Sequence, residues 1–124
     1  EDLIKQLNKV KLPYNVNLFS QIAAVEILKE MDWLKAMQRE FTKAREMLQM
    51  ELNNIKGIQV YPSSTNFFLC ELEKSRDFVY EELLKRGILT RSFSDEILKN
   101  TLRFCIGTPE QNKYLLSCLK EILN

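Results

Sequence analysis

Residues 102–111 have the sequence LRFCIGTPEQ, which predicts a strand that leads directly into a helix. Apolar and other residues alternate in its first half, so one face of the strand is apolar and Arg103 lies on the opposite face. In the second half, Thr108 is suited to cap a helix, Pro109 suits its first position and Gln111 can complete a capping box. The stretch therefore predicts a half-buried strand joined to an amphipathic helix.

The same two patterns recur along the rest of the chain. Apolar residues at helical spacing predict helices over 1–10, 18–30, 32–55, 76–86 and 109–123. Alternation and short apolar runs predict strands over 58–61, 65–72, 88–93 and 101–106. Because the strands form two hairpin-like pairs separated by a helix, we predict an α+β fold. It is a two-layer α/β sandwich with a small, mostly antiparallel four-stranded sheet and helices packed on it.

The size and charge of the chain exclude several classes of protein. Its 124 residues, of which 45% are hydrophobic, suffice for one packed domain. The 18 Lys and Arg residues nearly balance 17 Asp and Glu residues, and the formal net charge of +1 provides no field to attract nucleic acid or an anionic membrane. We therefore expect neither a nucleic acid nor a membrane among the partners of the chain.

The chain contains no histidine and only three cysteines, Cys70, Cys105 and Cys118. The missing histidine excludes a His-containing zinc site, a Ser-His-Asp triad and a Cys-His dyad, and we predict no metal site. An odd number of widely spaced cysteines favours a reducing compartment over a disulfide framework. We therefore expect a cytoplasmic protein.

Two arginines on neighbouring predicted strands are candidate ligand-binding residues. Arg103 lies in the middle of an apolar strand, where a guanidinium is costly to bury without an anionic partner. Arg91 lies near the end of the preceding strand, and both side chains face one site if the strands pair through the loop 94–100. Their planar forks can bind a carboxylate or phosphate through two hydrogen bonds. Alternatively, each is an exposed or salt-bridged strand arginine, with Glu71 or Glu73 as its partner.

A polar loop with an aromatic residue, PYNVN at 13–17, precedes the second helix. Tyr14 and Asn15 are candidates to line a ligand cleft or a subunit contact. In the other interpretation, Asn15 and Asn17 bind the loop backbone and cap the next helix, which is the commoner use of asparagine.

Four segments, taken in order, resemble a known family: KLPYNVN at 11–17, YPSSTNF at 61–67, GILTR at 87–91 and LRFCIGTPEQN at 102–112. Their order and spacing are similar to those of the C-terminal small domain of class I/II (fold type I) pyridoxal-phosphate-dependent aminotransferases. Within that family, the segments most resemble histidinol-phosphate aminotransferases and threonine-phosphate decarboxylases. The resemblance covers essentially the whole chain.

The resemblance implies roles for the residues that match the motifs. It implies that Arg103 binds an acidic group of the substrate and that Arg91 reaches the anionic end of a phosphorylated amino substrate. Tyr14 and Asn15 would lie near the cleft between a large and a small domain. The resemblance also implies a parent enzyme that uses pyridoxal 5'-phosphate and forms a homodimer, with the chain's own large domain as a partner.

The Schiff-base lysine and most of the cofactor cradle belong to the large domain in that family. No lysine of this sequence lies in the Ser-x-x-Lys context that the family uses, so we assign no catalytic residue to the chain. Because the chain lacks that large domain, we expect it to fold but to bind no cofactor and to be inactive alone. The chain also opens at Glu1 without a methionine, so we expect it to be a C-terminal fragment of a longer protein. Residues 1–17 would form an interdomain helix and cleft loop, and 18–124 the small domain.

Two classes of function stay open at this point. The first is the substrate-binding small domain of an aminotransferase, for which the Tyr14-Asn15 pair favours transamination of the histidinol-phosphate type over threonine-phosphate decarboxylation. The second is a free-standing, non-enzymatic α+β binding module, since one fold serves many functions.

Overall fold

The computed structural model describes residues 1–11 and 14–124, which form five helices and a three-stranded sheet. The helices are α1 (Asp2–Val10), α2 (Leu18–Lys29), α3 (Met31–Asn53), α4 (Arg76–Lys85) and α5 (Pro109–Leu123). The strands are β1 (Ile58–Val60), β2 (Phe67–Leu72) and β3 (Thr101–Cys105), and one 3-10 turn covers Glu96–Leu98. Within the described residues, no helix combines the length and the apolar character that a membrane span requires.

The described chain divides into two compact units, Glu1–Gln38 and Arg39–Asn124. In the first unit, α2 is apolar around most of its circumference, yet no residue of α1 or α2 is buried. The large apolar side chains exposed there include Leu3, Ile4, Leu7, Val10, Phe19, Ile22, Val25 and Trp33. The buried core of the chain belongs to the second unit, which also contains the whole sheet.

The sheet has the order β1-β2-β3, so β2 is central and runs antiparallel to both neighbours. Phe68 pairs with Phe104 and the next residue, Leu69, pairs with Arg103, so the two pairs lie on opposite faces. Both phenylalanines are fully buried, whereas Leu69 and Arg103 are half-buried. These observations confirm the α+β fold and the predicted position of Arg103 on the face away from the core.

Three helices form the second layer by packing on the Phe68 face of the sheet. Their buried residues are Leu48 and Leu52 of α3, Val79 and Leu83 of α4, and Leu115, Cys118, Leu119 and Ile122 of α5. The predicted capping box is present, because Gln111 N–H donates to Thr108 Oγ1 (3.3 Å) and Thr108 N–H donates to Gln111 Oε1 (2.9 Å). It satisfies backbone donors at the start of α5 and so fixes where that helix follows β3.

The strand predicted over 88–93 is wrong. Only Arg91 pairs with the sheet, through an isolated antiparallel bridge to Arg103, so the described residues form three strands instead of four. The apolar pattern of the segment is that of a strand, but the hydrogen bonds of its two ends go to other groups.

At the start of the segment, the Ile88 N–H donates to the Leu83 carbonyl at the end of α4 (2.9 Å). At its end, the Phe93 carbonyl accepts a hydrogen bond from Nη1 of Arg76 (2.7 Å). The Phe93 carbonyl would face β3 in the register of the Arg91–Arg103 bridge but is bound to Arg76, and the start of the segment is held at the end of α4, so the ladder does not extend beyond Arg91.

Gly87 ends α4 in the left-handed conformation, with φ of 75°. The Gly87 N–H donates to the Leu84 carbonyl and the Ile88 N–H donates to the Leu83 carbonyl, a Schellman motif. An added Cβ would meet no heavy atom within 4 Å, so the cost of a side chain here is conformational. We predict that Gly87→Ala lowers the free energy of unfolding by about 1 kcal/mol. Gly87→Asn should cost less, because asparagine tolerates this conformation; equal losses in urea denaturation would contradict the prediction.

Candidate anion-binding site

Arg91 and Arg103 lie directly opposite each other at the edge of the sheet. The Arg91 N–H donates to the Arg103 carbonyl (3.3 Å) and the Arg103 N–H donates to the Arg91 carbonyl (2.9 Å). Residues that exchange both bonds in an antiparallel pair have Cα atoms about 5.5 Å apart and side chains on the same face. The structure therefore brings together the two arginines that the sequence identifies as candidates.

Each guanidinium is placed over an aromatic ring. The Cζ atom of Arg103 lies 4.8 Å from the ring centroid of Phe67, and that of Arg91 lies 5.7 Å from the ring centroid of Phe93. Both distances fall within the range of a cation–π interaction, which orients a guanidinium without neutralising its charge. Neither ring is among the site residues that the sequence predicts. The spacing of Arg91 and Phe93, two residues apart in an extended segment, was an available signal.

Neither arginine has an acidic partner among residues 1–11 and 14–124. The Nε atom of Arg103 is buried and, in the described part of the chain, has no hydrogen-bond acceptor. Two like charges opposite each other on adjacent strands destabilise the pair. An anion bound between the guanidinium groups would remove the repulsion, and a carboxylate or phosphate matches the forked geometry of the donors.

Glu71 lies on the same sheet face as Arg103, but its carboxylate accepts a hydrogen bond from a tyrosine. The Tyr61 hydroxyl donates to Oε2 of Glu71 over 2.6 Å. The hydrogen bond to the carboxylate stabilises the protonated phenol, and with burial and the negative charge of Glu71 it raises the pKa of Tyr61. Glu73, the other acid considered as a salt-bridge partner, also forms no ion pair within the described ranges.

Tyr14 and Asn15, the other predicted site residues, belong to the Glu1–Gln38 unit, whereas both arginines belong to the second unit. The side chain of Tyr14 is 82% exposed. The Asn15 side chain accepts a hydrogen bond from Lys11, and Asn17 caps α2 by accepting from the Ser20 N–H (2.9 Å). The proline of the same loop lies outside the described residues. A cleft-lining role for Tyr14 and Asn15 stays a prediction.

The cysteines do not form a reactive or metal-binding group. Cys70 and Cys118 are buried, whereas Cys105 is exposed on the face that carries Arg103. Burial raises the pKa of the Cys70 thiol to about 12, which keeps it protonated and unreactive at neutral pH. Across the ranges that the structure describes, no three acidic or thiol side chains are grouped closely enough to hold a metal ion.

The hydrogen bond between Tyr61 and Glu71 gives a testable prediction. Glu71→Gln should lower the pKa of Tyr61 toward the usual value of about 10, because a neutral amide accepts the hydrogen bond more weakly than a carboxylate. A 13C NMR titration of the tyrosine Cζ signals measures this pKa, with Tyr61→Phe to assign the signal. Glu73→Gln is the matched control and should leave the pKa unchanged.

The sign of the pH dependence follows from the raised pKa. The contribution of the hydrogen bond to folding is fully present below the unfolded pKa of Tyr61, and it is lost as the pH rises through the folded pKa. A Tyr61 pKa that Glu71→Gln does not lower would contradict the hydrogen bond between Tyr61 and Glu71.

Comparisons with known proteins place this geometry in a family. The sequence model of the family "Aminotransferase class I and II" matches residues 1–119. A histidinol-phosphate aminotransferase of Caldanaerobacter subterraneus subsp. tengcongensis is 45% identical over 124 residues, which are 99% of this chain and 35% of that protein. The chain thus spans about a third of the length of the curated relatives that it matches.

Two solved structures share the fold over 99% of the chain. The histidinol-phosphate aminotransferase of Clostridium acetobutylicum has a TM-score of 0.84 at 29% identity, with 38% of its chain covered. A decarboxylase of Sulfurospirillum multivorans has a TM-score of 0.80 at 26% identity, with 37% of its chain covered. Together with the match over residues 1–119, these likenesses show that the chain belongs to the class I and II aminotransferase family.

Proposed function

We propose that the chain is the C-terminal, substrate-binding part of a pyridoxal-phosphate-dependent aminotransferase, and that histidinol phosphate is its substrate. The observation that carries the proposal is the opposed pair of Arg91 and Arg103, which has no acidic partner within the described residues. The name of the 45% identical relative supplies the substrate.

The arginine pair suits a substrate with a phosphate group. A phosphate monoester offers several acceptor oxygens and about two negative charges at neutral pH, so it can accept hydrogen bonds from both guanidinium groups at once. The Phe67 and Phe93 rings hold the groups in place before the substrate arrives. Arg103 alone also suits one carboxylate of the dicarboxylate that serves as amino donor or acceptor.

No lysine of this chain fits the role of the lysine that binds the cofactor. Pyridoxal phosphate, when bound, withdraws electrons from the bonds at the α carbon of the substrate, and it needs a lysine that can lose its proton. Every lysine side chain of this chain is exposed. The hydrogen bond to Glu82 raises the pKa of Lys85, which favours the charged form. We therefore propose that a large domain outside this chain holds the cofactor and that the chain alone is inactive.

Two further properties of the whole protein belong to the proposal. The family resemblance supports a homodimer in which the small domain packs against its own large domain. The cysteines Cys70, Cys105 and Cys118 are unpaired, which supports a reducing, cytoplasmic environment.

A decarboxylase that acts on threonine phosphate is the second candidate. The likeness to the decarboxylase of Sulfurospirillum multivorans, with a TM-score of 0.80, favours decarboxylation as the reaction, and the family resemblance suggests threonine phosphate as the substrate. Transamination and decarboxylation break different bonds at the α carbon, and an arginine pair that binds the remote phosphate serves either reaction. Incubating the full-length protein with each substrate separates them, because only decarboxylation releases carbon dioxide.

The Arg103→Lys variant of the full-length protein tests the proposed role of Arg103. Lysine keeps the charge but loses the fork that donates two parallel hydrogen bonds to one anion. Since a charge-assisted hydrogen bond contributes about 1.5–3 kcal/mol, kcat/KM for histidinol phosphate should fall about tenfold or more. Steady-state kinetics measure the fall, and cofactor absorbance should be unchanged.

The alternative is that Arg103 only stabilises the sheet. In that case Arg103→Lys would lower the melting temperature and leave kcat/KM of the folded enzyme unchanged, which would remove Arg103 from the site. Arg86→Lys is the matched control. Arg86 is paired with Glu82 (2.7 Å) on α4, so its substitution should affect stability alone.

A further inference from the structure

The segment 88–93, which carries Arg91, is held to neighbouring parts of the second unit by hydrogen bonds at three places. Its start is bonded to the end of α4, its middle to the backbone of Arg103, and its end to the side chain of Arg76 through the Phe93 carbonyl. Among the hydrogen bonds of the described residues, the third is the only one that holds the segment beyond Arg91. Arg76 therefore contributes to the position of Phe93.

Arg76, the first residue of α4, is built to hold one orientation. Its side chain is 20% exposed. Nε and Nη2 face Oδ1 of Asp77 at 2.8 and 2.7 Å, and Nη1 donates to the Phe93 carbonyl at 2.7 Å. The carboxylate on one edge of the planar guanidinium fixes the direction in which the remaining donor points. The carbonyl of Phe93 is thus clamped by a charge-assisted hydrogen bond.

The hydrogen bond from Arg76, here called the clamp, holds the backbone of the residue whose ring supports Arg91. The guanidinium of Arg91 lies over the Phe93 ring, with 5.7 Å from Cζ to the ring centroid. Arg91 itself is exposed, so its backbone bridge to Arg103 leaves the long side chain free to rotate unless the ring orients it. A fixed Phe93 reduces the conformational entropy that Arg91 loses when it binds an anion.

We propose that Arg76 is a positioning residue for the anion-binding site, which acts through Phe93 to hold Arg91 in its binding orientation. The inference rests on the proposed function of Arg91. Each guanidinium nitrogen of Arg76 faces Asp77 or the Phe93 carbonyl, and its proposed effect on the substrate is indirect. Loss of the clamp should weaken the binding of the phosphate without changing the reacting carbon.

The test compares two Arg→Gln variants of the full-length protein, one at the first residue of α4 and one at the residue that follows α4. Arg76→Gln should raise KM for histidinol phosphate about five- to tenfold, with kcat within about twofold, because binding common to the ground and transition states is lost. The inhibition constant of inorganic phosphate should rise in parallel. Arg86→Gln is matched, since Arg86 is also partly buried (31% exposed) and paired with an acid of α4, and it should leave KM unchanged.

A double-mutant cycle separates positioning from a purely structural role. If Arg76 acts through Arg91, then Arg76→Gln should change KM by less than about twofold in an Arg91→Gln background. Additive effects, or an equal KM rise in Arg86→Gln, would overturn the inference. If Arg76→Gln fails to fold, Arg76→Lys takes its place. Lysine lacks the planar fork that Asp77 orients, so KM should still rise, and an unchanged KM in that variant would overturn the inference as well.

The same set of variants distinguishes failure of the inference from failure of the proposed function. An Arg91→Gln variant with normal KM would overturn the proposed function and the inference together. A raised KM in Arg91→Gln with a normal KM in Arg76→Gln would overturn the inference alone.

Discussion

Two like charges that face each other across a single β-bridge are the constraint on which the functional part of this structure depends. The backbone bonds between Arg91 and Arg103 fix both Cα atoms, so the guanidinium groups share one face of the sheet. Aromatic rings support both groups, but no acidic side chain among the described residues pairs with either guanidinium. An anion bound between the two guanidinium groups would relieve the repulsion, which makes the pair suited to binding.

The framework around the arginines is formed by ordinary packing. The buried face of β2 and β3 packs against three helices and sets the plane of the sheet. The capping box at Thr108 fixes the start of α5, and the Schellman motif at Gly87 fixes the turn from α4 into the segment of Arg91. Each device lies within a few residues of one arginine. Stability and the placement of the site therefore arise from the same local interactions.

The sequence predicts those parts of the structure that local patterns determine. Alternation in β3 correctly places Arg103 away from the core, and the helix ends at Gly87 and Thr108 follow from residue type. The segment 88–93 fails as a strand because its end groups bind Leu83 and Arg76, contacts that no local pattern contains. The Phe67 support of Arg103 and the hydrogen bond of Tyr61 to Glu71 could not be predicted for the same reason, since they depend on strand register.

The proposed function requires that Arg91 and Arg103 bind the same anion. A crystal structure of the full-length protein with histidinol phosphate tests it directly. Phosphate oxygens should lie within about 3 Å of nitrogen atoms of both guanidinium groups. A phosphate bound elsewhere, or an arginine of the pair engaged by a carboxylate of the protein, would contradict the claim.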